Sequence, residues 1–162
     1  MKHVTALFYD VSDASRALDA LRDAGVRKDD ISLLTSEAGA ESHFSIKEGN
    51  KSAEGATTGG MIGGAIGLIA GTLVTAATGG VGILATGPIL VGLAGLGTGA
   101  VLGGIAGALS GLGVPEHEAK FYECEIEERN AILIGVAADE RTENVIRNLL
   151  KRYNPAKLKA HA

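Results

Sequence analysis

Three short stretches of this chain carry residue types able to do chemistry. Glu116-His117-Glu118 sets an imidazole between two carboxylates, Cys124 supplies a thiol, and Gly63-Gly64-Ala65-Ile66-Gly67 has the look of a phosphate-cradling loop. None of the three survives a test of spacing. Neighbouring residues on a helix point in different directions, so 116–118 cannot converge on one ion and reads as a solvated first turn. The glycine string lacks the Lys-Ser/Thr ending of a phosphate loop and sits inside a longer period-four repeat. Cys124 is alone, which excludes a disulfide within the chain and a CxxC site. Between Glu123 and Glu125 its thiol is held protonated, and it reads as a small, partly buried residue. His3, His43 and His161 have no partner identifiable from sequence, and 123–128 reads as a solvated acidic helix face. The expectation is therefore a protein that is not an enzyme, with no catalytic residue, cofactor or metal.

The dominant feature is a run of 61 residues between Glu54 and Glu116 without one charged side chain, holding twenty of the 24 glycines. Two rows fall at a spacing of four: Gly55, Gly59, Gly63, Gly67, Gly71, and Gly95, Gly99, Gly103, Gly107, Gly111. They mirror each other about position 83, so a helix folded back there sets Gly59 near Gly107 and Gly67 near Gly99. Glycine in a helix costs about 1 kcal/mol per site relative to alanine. Ten such penalties at fixed spacing point to a surface that another helix approaches closely. The reading is a glycine-zipper helical hairpin, with helices over 56–78 and 88–112 and GGVGILATG as the connection. Rows at this spacing run obliquely, and two straight helices packed on them cross at roughly −40 to −50° and soon diverge. Five glycines per row exceed one crossing. Gly60, Gly64, Gly104, Ala100 and Ala108 widen the smooth surface, which leads to the expectation of a homo-oligomer.

The charged flanks must position this hairpin. Residues 3–10 read as a strand, Ser12 caps a helix running to Ala24, Gly25 stops it, and 31–35 is a second strand. After the run, Pro115 opens a helix lined by Ala119, Tyr122 and Ile126. Then 131–138 (AILIGVAA) forms a central strand, a helix buries Val145, Ile146, Leu149 and Tyr153, and 156–160 forms a short edge strand. Two β-α-β units with both helices on one face give an α+β, ferredoxin-like split β-α-β domain interrupted by the hairpin. The organisation is 1–37 for the first half, 38–54 for a polar linker, 55–114 for the hairpin and 115–162 for the helix and second half.

A net charge of −4 and scarce aromatics give no footprint for nucleic acid. Helices over 56–78 and 88–112 would span roughly 34–38 Å, enough for a hydrocarbon core of about 30 Å. The first carries six Leu, Ile or Val residues against six glycines and five threonines, and the second carries ten. Inserted as a pair, they leave both flanks on the cytoplasmic side, and the amino terminus lacks the layout of a signal peptide.

The layout resembles the bacterial general-stress and low-temperature-induced proteins. The matching pieces are Val4-Thr5-Ala6-Leu7-Phe8, Ala20-Leu21-Arg22-Asp23-Ala24-Gly25, Asp29-Asp30-Ile31-Ser32, the glycine rows, and Gly111-Leu112-Gly113-Val114-Pro115-Glu116-His117-Glu118-Ala119 with Tyr122-Glu123. Arg129-Asn130 stands where that family carries a glycine pair. The resemblance implies a non-enzymatic, stress-associated, membrane-linked protein. The leading expectation is a homo-oligomer at the bacterial inner membrane, its partners itself and the lipid bilayer, acting as scaffold or membrane stabiliser with its α/β domain in the cytoplasm. The alternatives are a cytoplasmic particle with hairpins buried in its core, and a ligand-sensing α/β module with no ligand yet assignable.

Overall fold

A computed structural model of the chain describes residues 2–36, 38–39, 74–78, 81–89 and 98–161. In chain order the elements are β1 (Lys2–Phe8), α1 (Val11–Asp23), a 3-10 turn (Lys28–Asp30), β2 (Ile31–Ser36), β3 (Val74–Thr78) and β4 (Val81–Thr86). They continue with α2 (Thr98–Gly111), α3 (Glu116–Arg129), β5 (Ile132–Ala138), α4 (Glu143–Lys151) and β6 (Lys157–His161). This is an α+β protein. Its six strands form one sheet in the order β3-β4-β2-β5-β1-β6, every neighbour antiparallel.

Local chemistry fixes the element ends. Asp10, not Ser12, caps α1, its carboxylate accepting from the Ser12 and Asp13 amides at 2.7 and 3.2 Å. Both α1 and α2 close in the same way. Gly25 (φ 83°) and Gly113 (φ 89°) supply the left-handed residue. Val26 N–H then reaches Leu21 O, and Val114 N–H reaches Leu109 O. These paired bonds satisfy carbonyls that a helix end otherwise strands. At the end of α3, Asn130 adopts φ 53° and makes the turn at Arg129-Asn130, where the sequence has no glycine pair. Asparagine tolerates that region better than other side chains.

The sheet is covered on both faces. On one, α1 and α4 pack Ala14, Ala17, Leu18, Leu21, Ile146 and Leu150 against Val4, Ala6, Phe8, Leu33, Ile132, Ile134 and Val136. On the other, α2 and α3 cover Leu7, Leu34, Ile83, Ala85 and Leu133. This second layer explains the unbroken apolar character of β5: alternate side chains enter different cores, and neither meets water. The paired placement of α1 and α4 follows the sequence expectation. Val145, expected on the buried side of α4, is instead 60% exposed, and Leu150 takes the inward position.

The largest differences lie within the uncharged run. Residues 74–78, expected to end the first hairpin helix, form β3, and 81–86, expected as the connection, form β4. Their register pairs Thr78 with Val81 and Val74 with Ala85, and β4 pairs on its other side with β2. The mirror point, Ile83, is fully buried in the sheet rather than at a helical bend. The physical reason is local. Val74, Thr75, Thr78, Val81 and Ile83 are β-branched, and Gly79-Gly80 between them is a two-residue hairpin signal. Within the expected helix 88–112, residues 88–89 are helical, α2 covers Thr98–Gly111, and 90–97 lie outside the described residues. Most of the linker 38–54 and the greater part of the first hairpin helix, 56–73, lie outside the described residues.

Candidate functional site

Of the ten row glycines, Gly99, Gly103, Gly107 and Gly111 fall in α2. Gly55, Gly59, Gly63, Gly67, Gly71 and Gly95 lie outside the described residues, so the juxtapositions of Gly59 with Gly107 and Gly67 with Gly99 do too. Helix α2 is not one straight rod. Gly104 takes φ 56° and ψ −155°, which breaks it in two. A β-carbon at Gly104 would overlap the Glu123 carboxylate, and that same carboxylate accepts the Ala106 amide at 3.2 Å. Gly104 is thus a kink rather than part of a smooth packing surface. Beyond it, Ile105, Ala106, Ala108 and Leu109 enter the core with Ala119, Tyr122 and Ile126 of α3. Ala108, expected to widen the zipper, is inside the domain. The opposite side presents Gly107 and Gly111. A β-carbon at Gly107 would meet nothing within 4 Å, and Gly111 is exposed.

A second constellation was not legible from sequence. Strand β6 alternates, sending Leu158 and Ala160 into the first core while Lys157, Lys159 and His161 face α3. Thr5 Oγ1 lies 3.0 Å from the Tyr122 hydroxyl and 3.0 Å from His161 Nε2, all three buried. Burial pushes the Tyr122 phenol up to about 12, so it stays a protonated donor. The roles at His161 depend on its tautomer; with the proton on Nδ1, Tyr122 donates to Thr5 and Thr5 donates to a neutral His161. The imidazole is held below its ordinary range by burial, the nearby Glu118 carboxylate pulling the other way. Glu118 is 8% exposed, with Oε2 3.5 Å from His161 Nε2 and Oε1 3.7 Å from Lys159 Nζ. Its Oε2 is buried without a hydrogen-bond partner. Lys157 Nζ sits 4.1 Å from the Phe121 ring centroid and 5.3 Å from that of Tyr122.

By its place in the sequence, Glu118 belongs with Glu116 and His117 to one solvated helical turn. The structure separates them: Glu116 and His117 are exposed, and Glu118 shares the inward face with Ala119 and Tyr122. The spacing of four from Glu118 to Tyr122, matched to the period-two Lys157-Lys159-His161 row, was the available signal. The acidic stretch is also more engaged than expected. Besides Glu123 on α2, Glu125 accepts from the Tyr9 hydroxyl and lies 3.7 Å from Arg129. Cys124 is exposed rather than partly buried; desolvation and the carboxylates of Glu128 and Glu125 raise its thiol above the ordinary value.

Among the described residues, no group of three histidine, cysteine or carboxylate side chains could hold a metal ion. No helix among them is long and apolar enough to cross a membrane; the 14 residues of α2 rise only about 21 Å even if straight. No protein-family profile, no curated protein and no solved structure matches the chain.

Proposed function

We propose that this chain is a non-catalytic, self-associating scaffold of the stress-associated kind, in which the glycine face of the uncharged run is the surface that copies share. The observation that carries this reading is Gly107: it is helical, and among the described residues nothing lies within 4 Å of where its Cβ would stand. A helix stripped of side chains on one side costs stability unless another backbone comes close. The four-strand part β6-β1-β5-β2 supports the finer reading of a ferredoxin-like split β-α-β domain, with β4 and β3 extending it at the β2 edge. The residue-level resemblance in 111–123 supports the stress-protein reading.

A second reading, insertion of the run into the bacterial inner membrane with the α/β domain in the cytoplasm, rests on 61 residues without a charge. The anchoring of β3, β4 and the second part of α2 in the domain itself favours protein over lipid as the main contact. Fractionation followed by size determination without detergent separates the two readings. A defined particle larger than one chain in the soluble fraction fits the scaffold. Recovery wholly in the membrane pellet, released only by detergent, replaces it with the membrane reading, and a soluble monomer at all concentrations contradicts both.

A further inference from the structure

We propose that the last rung of the β1·β6 ladder is an acid-opened seam: protonation of His161, set opposite His3 and packed beneath α3, drives the imidazole out and frees the edge strand β6 from β1. The register pairs His3 directly with His161, Val4 with Ala160 and Thr5 with Lys159. Directly opposed residues of an antiparallel pair share a face, so protonation sets two like charges side by side. His161 is 6% exposed. The groups facing it are His3 and Thr5 from β1, Glu118 and Tyr122 from α3, and Lys159 and Lys157 from its own strand. Glu118 is the one carboxylate among these groups, and it also faces Lys159. With the Nδ1–H tautomer the cluster is built around a neutral ring whose Nε2 accepts a hydrogen bond from the Thr5 hydroxyl. A proton on Nε2 removes that acceptor and leaves a buried cation with one partner at 3.5 Å.

Burial lowers His161 and His3 alike, with the chain's amino group adding to the effect at His3. The folded state thus takes up these protons less readily than the unfolded chain. Stability from this source is complete above the ordinary histidine value of about 6.5 and is lost as pH falls from there through the lowered folded-state value. Strand β6 is the element able to leave. Among the described residues it pairs with β1 alone, spans five residues, and packs Leu158 and Ala160 only partly buried. Its departure would uncover the edge of β1, a template for pairing with another strand.

Hydrogen exchange on the full chain, expressed as protection factors at about pH 7.5 and about pH 5.5, tests the seam. Protection across 157–161 should fall about tenfold or more while β2 and β5 keep theirs, and in His161→Gln that selective loss should vanish. Glu118→Gln, which removes the nearby carboxylate, should enlarge it. Equal protection of β6 at both pH values, or the same loss in His161→Gln, overturns the proposal. Should His161→Gln fail to fold, the wild-type His161 ring resonance decides: a titration midpoint below about 6.5 supports the seam, and one at or above that value overturns it.

Discussion

Thr5 is the residue on which the buried polar cluster turns, because its one hydroxyl serves both Tyr122 and His161. Removing Tyr122's hydroxyl with Tyr122→Phe deletes one bond and leaves Thr5 paired with His161. The expected cost is about 1 kcal/mol. Thr5→Val keeps the shape but strands two buried groups at once, each worth about 1–3 kcal/mol. Urea denaturation should therefore rank Thr5→Val clearly below Tyr122→Phe; equal midpoints would mean that the cluster is not a connected network. These residues were individually visible in the sequence and their meeting was not. Thr5, Tyr122 and His161 are separated by more than a hundred positions in all, and only the pairing of β6 beside β1 and the seating of α3 across them bring them together. By contrast, Ala119, Tyr122 and Ile126 were legible as an inward face because helical periodicity is a local property.

Helix α2 makes the same substitution have opposite effects three residues apart. Gly104 occupies φ 56°, ψ −155°, a region reserved for glycine, and borders the Glu123 carboxylate. Gly104→Ala should cost about 1–3 kcal/mol. Gly107 is helical and faces open space among the described residues of its own chain, so in the dissociated chain Gly107→Ala should stabilise by up to about 1 kcal/mol. Thermal melts of the two variants, at a dilution that keeps the chain monomeric, read the signs directly; two shifts of the same sign would contradict the kink. Period-four glycine spacing could not reveal this. It registers where side chains are missing, not which glycine is missing its side chain for a φ value and which for contact. The same blindness hid β3 and β4, since a run of small and β-branched residues fits a strand as well as a helix until a partner such as β2 decides.

For the whole molecule, the two β-α-β halves were readable because each announces itself through capping, apolar periodicity and turn residues. The arrangement of the second layer was not, because both faces of the sheet had to be known before α2 and α3 could be seated. Core substitutions should report this two-sided architecture. Leu133→Ala, beneath α3, and Ile134→Ala, beneath α1 and α4, should each cost about 2–5 kcal/mol, since both side chains are fully buried in different cores. A cost near zero at Leu133 would mean that the α2-α3 layer does not hold the sheet.

The central claim is that the glycine face of α2 is shared between copies, and sedimentation equilibrium on wild type beside Gly107→Leu with Gly111→Leu tests it most directly. The account predicts a wild-type mass above that of one chain, shifting to the monomer in the double variant with the fold retained, because among the described residues a Cβ at Gly107 meets nothing within 4 Å and Gly111 is exposed. A wild-type monomer, or a double variant that keeps the full assembly, would contradict it.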